Sequence, residues 1–457
     1  MNPTRRNLIL GASAGMAVGA FARSALAAPR TLPQDADTAS LRPGEPGADY
    51  KPVITPNGTA LPFRIVDGHK VFHLIAEDVE HEFAPGLRAH CYGFNGRVHG
   101  PTIEAVEGDR VRIYVTNRLS VPTSIHWHGL VLPNGMDGVG GLTQRPIGPG
   151  ETFLYQFPLR QHGTYMYHSH HDEMAQMAMG LMGLFVIHPR VPAEPPPERD
   201  YAYLLSEWKI AVGARRPDPN EMMDFNVLTL NARTAPGTEH ILARVGERVR
   251  LRIGNLSAMS HHPIHLHGHN FHITATDGGI VPPGARWPEV TALVPTGSTR
   301  DFEFTANEPG DWPLHCHMTH HVMTQMGHGL PILEGTDPSL FDEALERAVP
   351  AYAAMGSGMG HGMGDMSSMP GMPAMPGMPN PAAAQGSNPA ALVPPNQLAM
   401  VGTRGPFGFI TMGGMFTVLK VRHTLPEGQA VGWYEHPKGT VASRARTADL
   451  ERDGIDL

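Results

Sequence analysis

Between positions 59 and 337 apolar and polar residues alternate in short runs, a two-residue period that predicts strands with one buried face. Thr102-Ile103-Glu104-Ala105-Val106 and Val111-Arg112-Ile113-Tyr114-Val115 are two such strands, with Glu107-Gly108-Asp109 as the turn between them and Phe94-Asn95-Gly96 as a turn before. A long glycine- and proline-rich connection from Val131 to Gly150 follows, then strands at Tyr165-Met166-Tyr167 and Leu184-Phe185-Val186-Ile187.

The order then repeats. Val245-Gly246-Glu247-Arg248-Val249-Arg250-Leu251-Arg252-Ile253 has Glu247 in the place of Glu107. A loop with Pro282-Pro283-Gly284, a strand over Asp301 to Phe304 and the turn Pro309-Gly310-Asp311-Trp312 come after it. This repeat predicts an all-β chain of two Greek-key β-sandwich domains, at 59–190 and 200–337, behind an N-terminal extension over 28–58.

Beyond them, residues 350–392 are low in complexity. Met355, Met359, Met363, Met366, Met369, Met372, Met375 and Met378 recur at helix-like spacing, but Pro370, Pro373, Pro376 and Pro379 forbid a helix, and disorder is expected. Soft thioethers with His361 and Asp365 fit copper(I) capture, and a plain flexible linker is the alternative. A short C-terminal β appendage is expected over 396–457, with strands at Phe409-Ile410-Thr411-Met412 and from Met415 to Val421 joined by a turn at Gly413-Gly414. Its docking partner is open between its own sandwich and a neighbouring subunit.

With 457 residues the chain is long enough for two or three domains and a large core. Only 17% of residues are charged and the formal charge is -8, so no basic field recommends nucleic acid or an anionic membrane surface as a partner. Residues 1–27 stand apart. Thr4-Arg5-Arg6, a stretch of small apolar residues and Ala25-Leu26-Ala27 have the form of a twin-arginine export signal with its cleavage site. The apolar part is short for a membrane span and is interrupted by Arg23, so no stable membrane insertion is expected and the periplasm is the assigned location. Losing that segment removes three arginines and no acid, which leaves a more acidic protein that favours cations, copper ions among them. Export invites disulfides, yet Cys91 and Cys316 are the only cysteines. Pairing them would consume a thiolate needed for chemistry, so Cys91 is expected to be a buried structural thiol.

That chemistry lies in four His-X-His pairs, His126/His128, His168/His170, His265/His267 and His315/His317. Residues two apart on a strand point to one face, so each pair aims two imidazoles into one site, and eight such ligands need several metals. Cys316 fills the X of the last pair, with its sulfur on the face opposite to its neighbours. Together with His262, His321 and a weak thioether from Met326 it gives the two-histidine, one-cysteine set of an electron-transferring blue copper. One strand thereby sets a one-electron centre about a dozen ångströms from a histidine cluster. Ser169 stands in the first half where Cys316 stands in the second, so no blue copper is expected there.

Taken in order, His126-Trp127-His128-Gly129, His168-Ser169-His170, the run from His262 to His269, and His315-Cys316-His317 through His321 to Met326 resemble the multicopper oxidases, which include laccases and cuprous oxidases. The resemblance covers about residues 59–337 and implies cupredoxin-like sandwiches with four coppers per active site. By it, His126 and His265 hold the type 2 copper. His128, His168 and His317 hold one type 3 copper, and His170, His267 and His315 hold the other. His262, Cys316 and His321 hold the type 1 copper, with Met326 axial. Asp137, in Met136-Asp137-Gly138, resembles the acid that helps to supply protons near type 2 copper, with a plain turn aspartate as the alternative. His261 and His269 are expected to orient neighbours, His171 and His320 to face away, and His162, His188, His328 and His361 to be structural, exposed or weak copper contacts.

The chain has no room for the extra sandwich that three-domain laccases carry between the second and third pairs, so the resemblance is to the two-domain type. It implies a homotrimer in which each trinuclear cluster closes between one chain's first domain and its neighbour's second. Gln325 replaces the glycine usual before the axial methionine, so local loop shape and donor access are expected to differ.

The function these residues favour is one-electron oxidation of copper(I) or phenolic donors coupled to reduction of dioxygen to water. Met174, Met177, Met179, Met182, Met318 and Met323 tilt the donor toward copper(I), although Met174 to Met182 also reads as a packing face. A copper nitrite reductase shares the sandwiches, trimer and blue site, but its single mononuclear catalytic copper leaves most of the eight histidines unused. A non-catalytic periplasmic copper store needs neither the Cys316 strand nor the cluster, and a zinc hydrolase has no use for Cys316 with Met326.

Overall fold

The computed structural model describes residues 41–326, 396–398, 400, 403–426 and 430–456. The segment over 1–27 expected to be an export signal, the Met-rich stretch over 350–392, His328 and His361 lie outside the described residues.

Alternation produces strands where it was expected. In Arg110–Asn117 the buried residues are Val111, Ile113, Val115 and Asn117, with the residues between them turned outward. That strand lies in a sheet ordered Phe63–Val66, His69–Ala84, Arg110–Asn117, Thr152–Pro158, to which Leu87–Phe94 is paired through His69–Ala84. A second sheet, ordered Ile103–Val106, Met182–His188, Gly163–His168, His126–His128, faces it, and one core of Phe72, Ile113, Trp127, Tyr167 and Phe185 among others fills the space between. The predicted turn at Glu107-Gly108-Asp109 forms with Gly108 at φ +86, and the Asp109 carboxylate accepts the N–H of Val106 at 2.9 Å.

The second half repeats the plan. Arg199–Trp208, Arg248–Asn255 and Ser298–Thr305 anchor one sheet, and the other runs Ile241–Arg244, Phe416–Arg422, Gly310–Cys316, His262–Leu266, Thr291–Val294 around a core that includes Phe302, Leu314 and Cys316. The halves meet on a buried seam where Met166, Met182 and Leu184 pack on Ala202, Leu204 and Leu256. Arg252 crosses it, paired with Asp200 and donating to Thr164 Oγ1 at 2.9 Å, so the buried guanidinium is not left unpaired.

Phe416–Arg422 differs from expectation. It is no separate appendage but an integral strand, parallel to Ile241–Arg244 and antiparallel to Gly310–Cys316, as Met182–His188 is to Ile103–Val106 and Gly163–His168. It does not form a hairpin with the strand before it, since Gly408–Ile410 pairs with Thr403–Gly405 instead. The reason lies in Gly413 and Gly414, which run against the loop after Cys316 rather than turning back; the Gly413 N–H donates to the Val322 carbonyl at 2.6 Å. A short helix, Glu173–Ala178, also went unpredicted, being too brief to show a helical period. Cys91 and Cys316 are both buried and unpaired, in different cores. No helix among the described residues is long and apolar enough to cross a membrane.

Candidate metal centres

His126–His128 pairs antiparallel with Gly163–His168, which puts His126 opposite His168. Trp127 is wholly buried on the inner face, so its two neighbours turn to the other. The His126 ring centre lies 5.7 Å from that of His128 and 5.4 Å from those of His168 and His170. The rings of His126, His128 and His168 each have one nitrogen committed to a carbonyl, which must accept, so the other nitrogen carries a free lone pair. His126 Nδ1 donates to the Asp137 carbonyl at 2.8 Å and His168 Nδ1 to the Ser169 carbonyl at 2.8 Å. His128 is reversed. Its Nε2 donates to the Gly297 carbonyl at 2.9 Å, and its Nδ1 faces His168 Nε2 at 3.3 Å. Donor atoms of His126, His128 and His168 all lie within 4.8 Å of one another.

The second half builds the matching set. The His265 ring centre lies 4.7 Å from His267, 5.5 Å from His315 and 5.3 Å from His317. His265 Nδ1 donates to the Val290 carbonyl at 2.7 Å and His315 Nδ1 to the Cys316 carbonyl at 2.8 Å, while His267 Nε2 and His315 Nε2 face each other at 3.2 Å. Burial holds His168 down to about 3 and His315 down to about 4, so both rings are neutral at ordinary pH, the form that can bind a metal. Among the described residues no hydrogen bond or ring contact joins the first set to the second.

On the other face of the Cys316 strand lies a third group. Cys316 Sγ is 3.6 Å from His262 Nδ1 and 3.5 Å from His321 Nδ1, and the two nitrogens are 3.2 Å apart. The centre of such a triangle is about 2 Å from each corner, the length of a bond from a late first-row metal to nitrogen or sulfur, so the donors fit a bound copper. Cys316 and His262 are completely buried, and His262 Nε2 is held by Ser257 Oγ at 2.7 Å. Burial pushes the Cys316 thiol up to about 12, and a bound metal must displace that proton. Met326 is half-buried and packs against the same core. In the first half the corresponding Ser169 hydroxyl is tied to Gln176 Oε1 at 2.6 Å.

Asp137 reaches His126 with its carboxylate as well as its carbonyl, Oδ1 lying 3.4 Å from Nδ1. Sequence reasoning missed Glu173, whose oxygens lie 3.7 Å from His168 Nδ1 and 3.6 Å from His170 Nε2; its place three residues after His170 was the available signal. It also missed Ser257 and Gly297. The bystander histidines have other partners. His261 Nδ1 accepts the Thr296 N–H at 3.0 Å, His269 packs on Phe304 and Trp312, and His162 and His188 meet Glu107 and Glu104.

Profiles of the multicopper oxidase family match residues 76–192 and 211–335. A solved blue copper oxidase from Nitrosomonas europaea is 32% identical, with a TM-score of 0.50 and 80% of its chain covered by 55% of this one. The chain belongs to the multicopper oxidase family. A second solved multicopper oxidase, mgLAC, gives 32% identity and a TM-score of 0.52 over the same shares. Copper resistance protein A of Pseudomonas syringae pv. tomato is 31% identical over 43% of this chain and 40% of its own. Laccase-2 of Botryotinia fuckeliana is 35% identical over 50% of this chain and 41% of its own. The chain thus spans about two fifths of the length of the curated multicopper oxidase relatives it matches.

Proposed function

We propose that the chain is a copper-dependent oxidoreductase that couples one-electron oxidation of copper(I) or phenolic donors to the four-electron reduction of dioxygen to water. The observation that carries the reading is the place of Cys316. Its sulfur closes the buried triangle with His262 and His321, while His315 and His317 on either side of it belong to the second histidine set. Copper held in these sites would supply single-electron uptake at the triangle and four-electron delivery to dioxygen at the histidines.

Type 2 copper is assigned to His126 and His265. His128 and His168, which already face each other, take one type 3 copper with His317 as the third ligand; His267 and His315 take the other with His170. By this scheme neither half completes the ligand set of any cluster copper, and closure is assigned to a neighbouring chain in a ring of three. Asp137 is assigned the handling of protons beside His126. Coexpression tests the ring: a His126→Ala chain and a His265→Ala chain, each inactive alone, should together regain oxygen uptake at junctions that unite two intact halves. No rescue in mixed oligomers refutes intersubunit closure.

A cavity of about 510 Å³ is lined by the first histidine set together with Met174, Met177, Met182, Glu173, Glu207 and Glu221 and by no lysine or arginine, a soft and acidic surround that suits copper ions. Export to the periplasm by the segment over 1–27 completes the reading. Oxygen uptake with copper(I) or a phenol, and no turnover of nitrite, is the test of the activity. Nitrite reduction without oxygen uptake would move the chain to the copper nitrite reductases.

A further inference from the structure

Met326 is the axial thioether by sequence position, and the fold brings a different methionine to the same strand face as the Cys316 sulfur. Gly310–Cys316 pairs antiparallel with Phe416–Arg422, with His315 opposite Phe416. One step further along this register Met415 stands opposite Cys316, whose N–H donates to the Met415 carbonyl at 3.1 Å. The Met415 N–H donates in turn to the His321 carbonyl at 2.9 Å. One residue is thereby bonded through its backbone to two members of the triangle. Strand alternation sets the side-chain direction: Met415, Leu419 and Val421 are fully buried in the core that contains Cys316, whereas Phe416 and Val418 join a separate cluster. Cross-strand neighbours on one face have Cβ atoms about 5 Å apart, within reach of a methionine side chain.

The internal repeat supplies the comparison. In the first half the Ser169 N–H donates to the Leu181 carbonyl at 3.0 Å, the bond that Cys316 makes to Met415. Serine and leucine occupy the two places in the half without the triangle, cysteine and methionine in the half with it. A glycine with positive φ precedes each, Gly180 at +112 and Gly414 at +61. At Gly414 a Cβ would lie 2.3 Å from the His321 carbonyl oxygen and 2.5 Å from that of Met323, so only glycine lets this segment seat against the ligand loop. Met326, in contrast, is half-buried, and its N–H is bonded to the Asn226 carbonyl at 2.8 Å.

We propose that Met415, the residue that leads into the C-terminal strand Phe416–Arg422, is the axial thioether of the type 1 centre in place of Met326. The proposal rests on the type 1 reading of His262, Cys316 and His321 and changes only its weak donor. It makes a segment outside the residues matched to the family a determinant of the reduction potential, because a thioether gives electron density to the oxidised metal and its loss favours the reduced one.

The test uses the copper-loaded full-length chain and its Met415→Leu, Met415→Gln and Met326→Leu variants, with electron paramagnetic resonance, visible absorption and redox titration. Leucine conserves volume, and thermal unfolding close to the parent's checks the fold. Met415→Leu should raise the type 1 midpoint potential and alter the copper hyperfine coupling. Met415→Gln, with an oxygen in the thioether's place, should lower the potential, and Met326→Leu should match the parent. A merely structural role does not produce opposite shifts from leucine and glutamine. Parent-like spectra and potential in Met415→Leu, or a shift confined to Met326→Leu, overturn the proposal. A parent protein with no blue band counts instead against the type 1 reading itself.

Discussion

His128 Nε2 donates to the Gly297 carbonyl at 2.9 Å, so a ring of the first sandwich is fixed by the backbone of the second. That bond decides which nitrogen of His128 faces His168 and ties the first histidine set to the seam between the halves. Removing the ring therefore takes away a proposed ligand and an anchor together. His128→Ala should keep the blue band, lower the copper content below four per functional unit, and cost oxygen uptake more than the roughly 10- to 100-fold that loss of a supporting partner gives. Copper analysis with oxygen electrode measurements checks it; four coppers and undiminished uptake contradict the assignment.

Asp137 holds His126 through its carbonyl and keeps its carboxylate 3.4 Å from the same nitrogen. Asp137→Asn preserves the carbonyl and removes the acid. Oxygen uptake should fall by about 10²-fold, the lower range for a positioned acid or base, with the blue band unchanged. A pH profile of turnover identical to the parent's defeats the proton-handling role.

His81 and His99 are buried away from the metal centres. Desolvation holds His81 down to about 4 and His99 down to about 3, against an ordinary value near 6.5. Below pH 6.5 the unfolded chain takes up protons that these folded rings refuse, so stability is full above that value and is lost as pH falls toward 4 and then 3. At pH 5 each ring should cost roughly 2 kcal/mol relative to pH 7. Denaturant titration of the metal-free protein should show the decline, and His81→Gln should make it shallower. An equal slope in both proteins removes His81 from the account.

How much of this was legible in the sequence follows from the range of each interaction. The histidine pairs could be read because the strand period alone puts His126 and His128, or His315 and His317, on one face with Trp127 or Cys316 on the other. Asp137 could be read because it lies in the loop just beyond its partner. Gly297 could not, since a backbone carbonyl from the other sandwich has no side-chain signature. The place of Phe416–Arg422 was equally hidden, because its alternation predicts a strand but not the non-local partners Gly310–Cys316 and Ile241–Arg244. Glu173 was lost with the six-residue helix that carries it.

The eight methionines between 355 and 378 are expected to serve copper(I) rather than phenols, by thioether softness. A chain lacking 355–378 should lose several-fold in steady-state oxidation of copper(I) at low concentration and keep its phenol oxidation. Equal rates with both donors leave the segment as a linker.

The central claim, that Cys316 feeds single electrons to a cluster of three coppers, is tested most directly by visible absorption and copper analysis of the loaded protein and of Cys316→Ser. The parent should show a thiolate-to-copper band and four coppers per functional unit. In the variant the band disappears, the cluster coppers remain and donor-driven oxygen uptake ceases. A parent without that band, or a Cys316→Ser protein that consumes oxygen at the parent's rate, contradicts it.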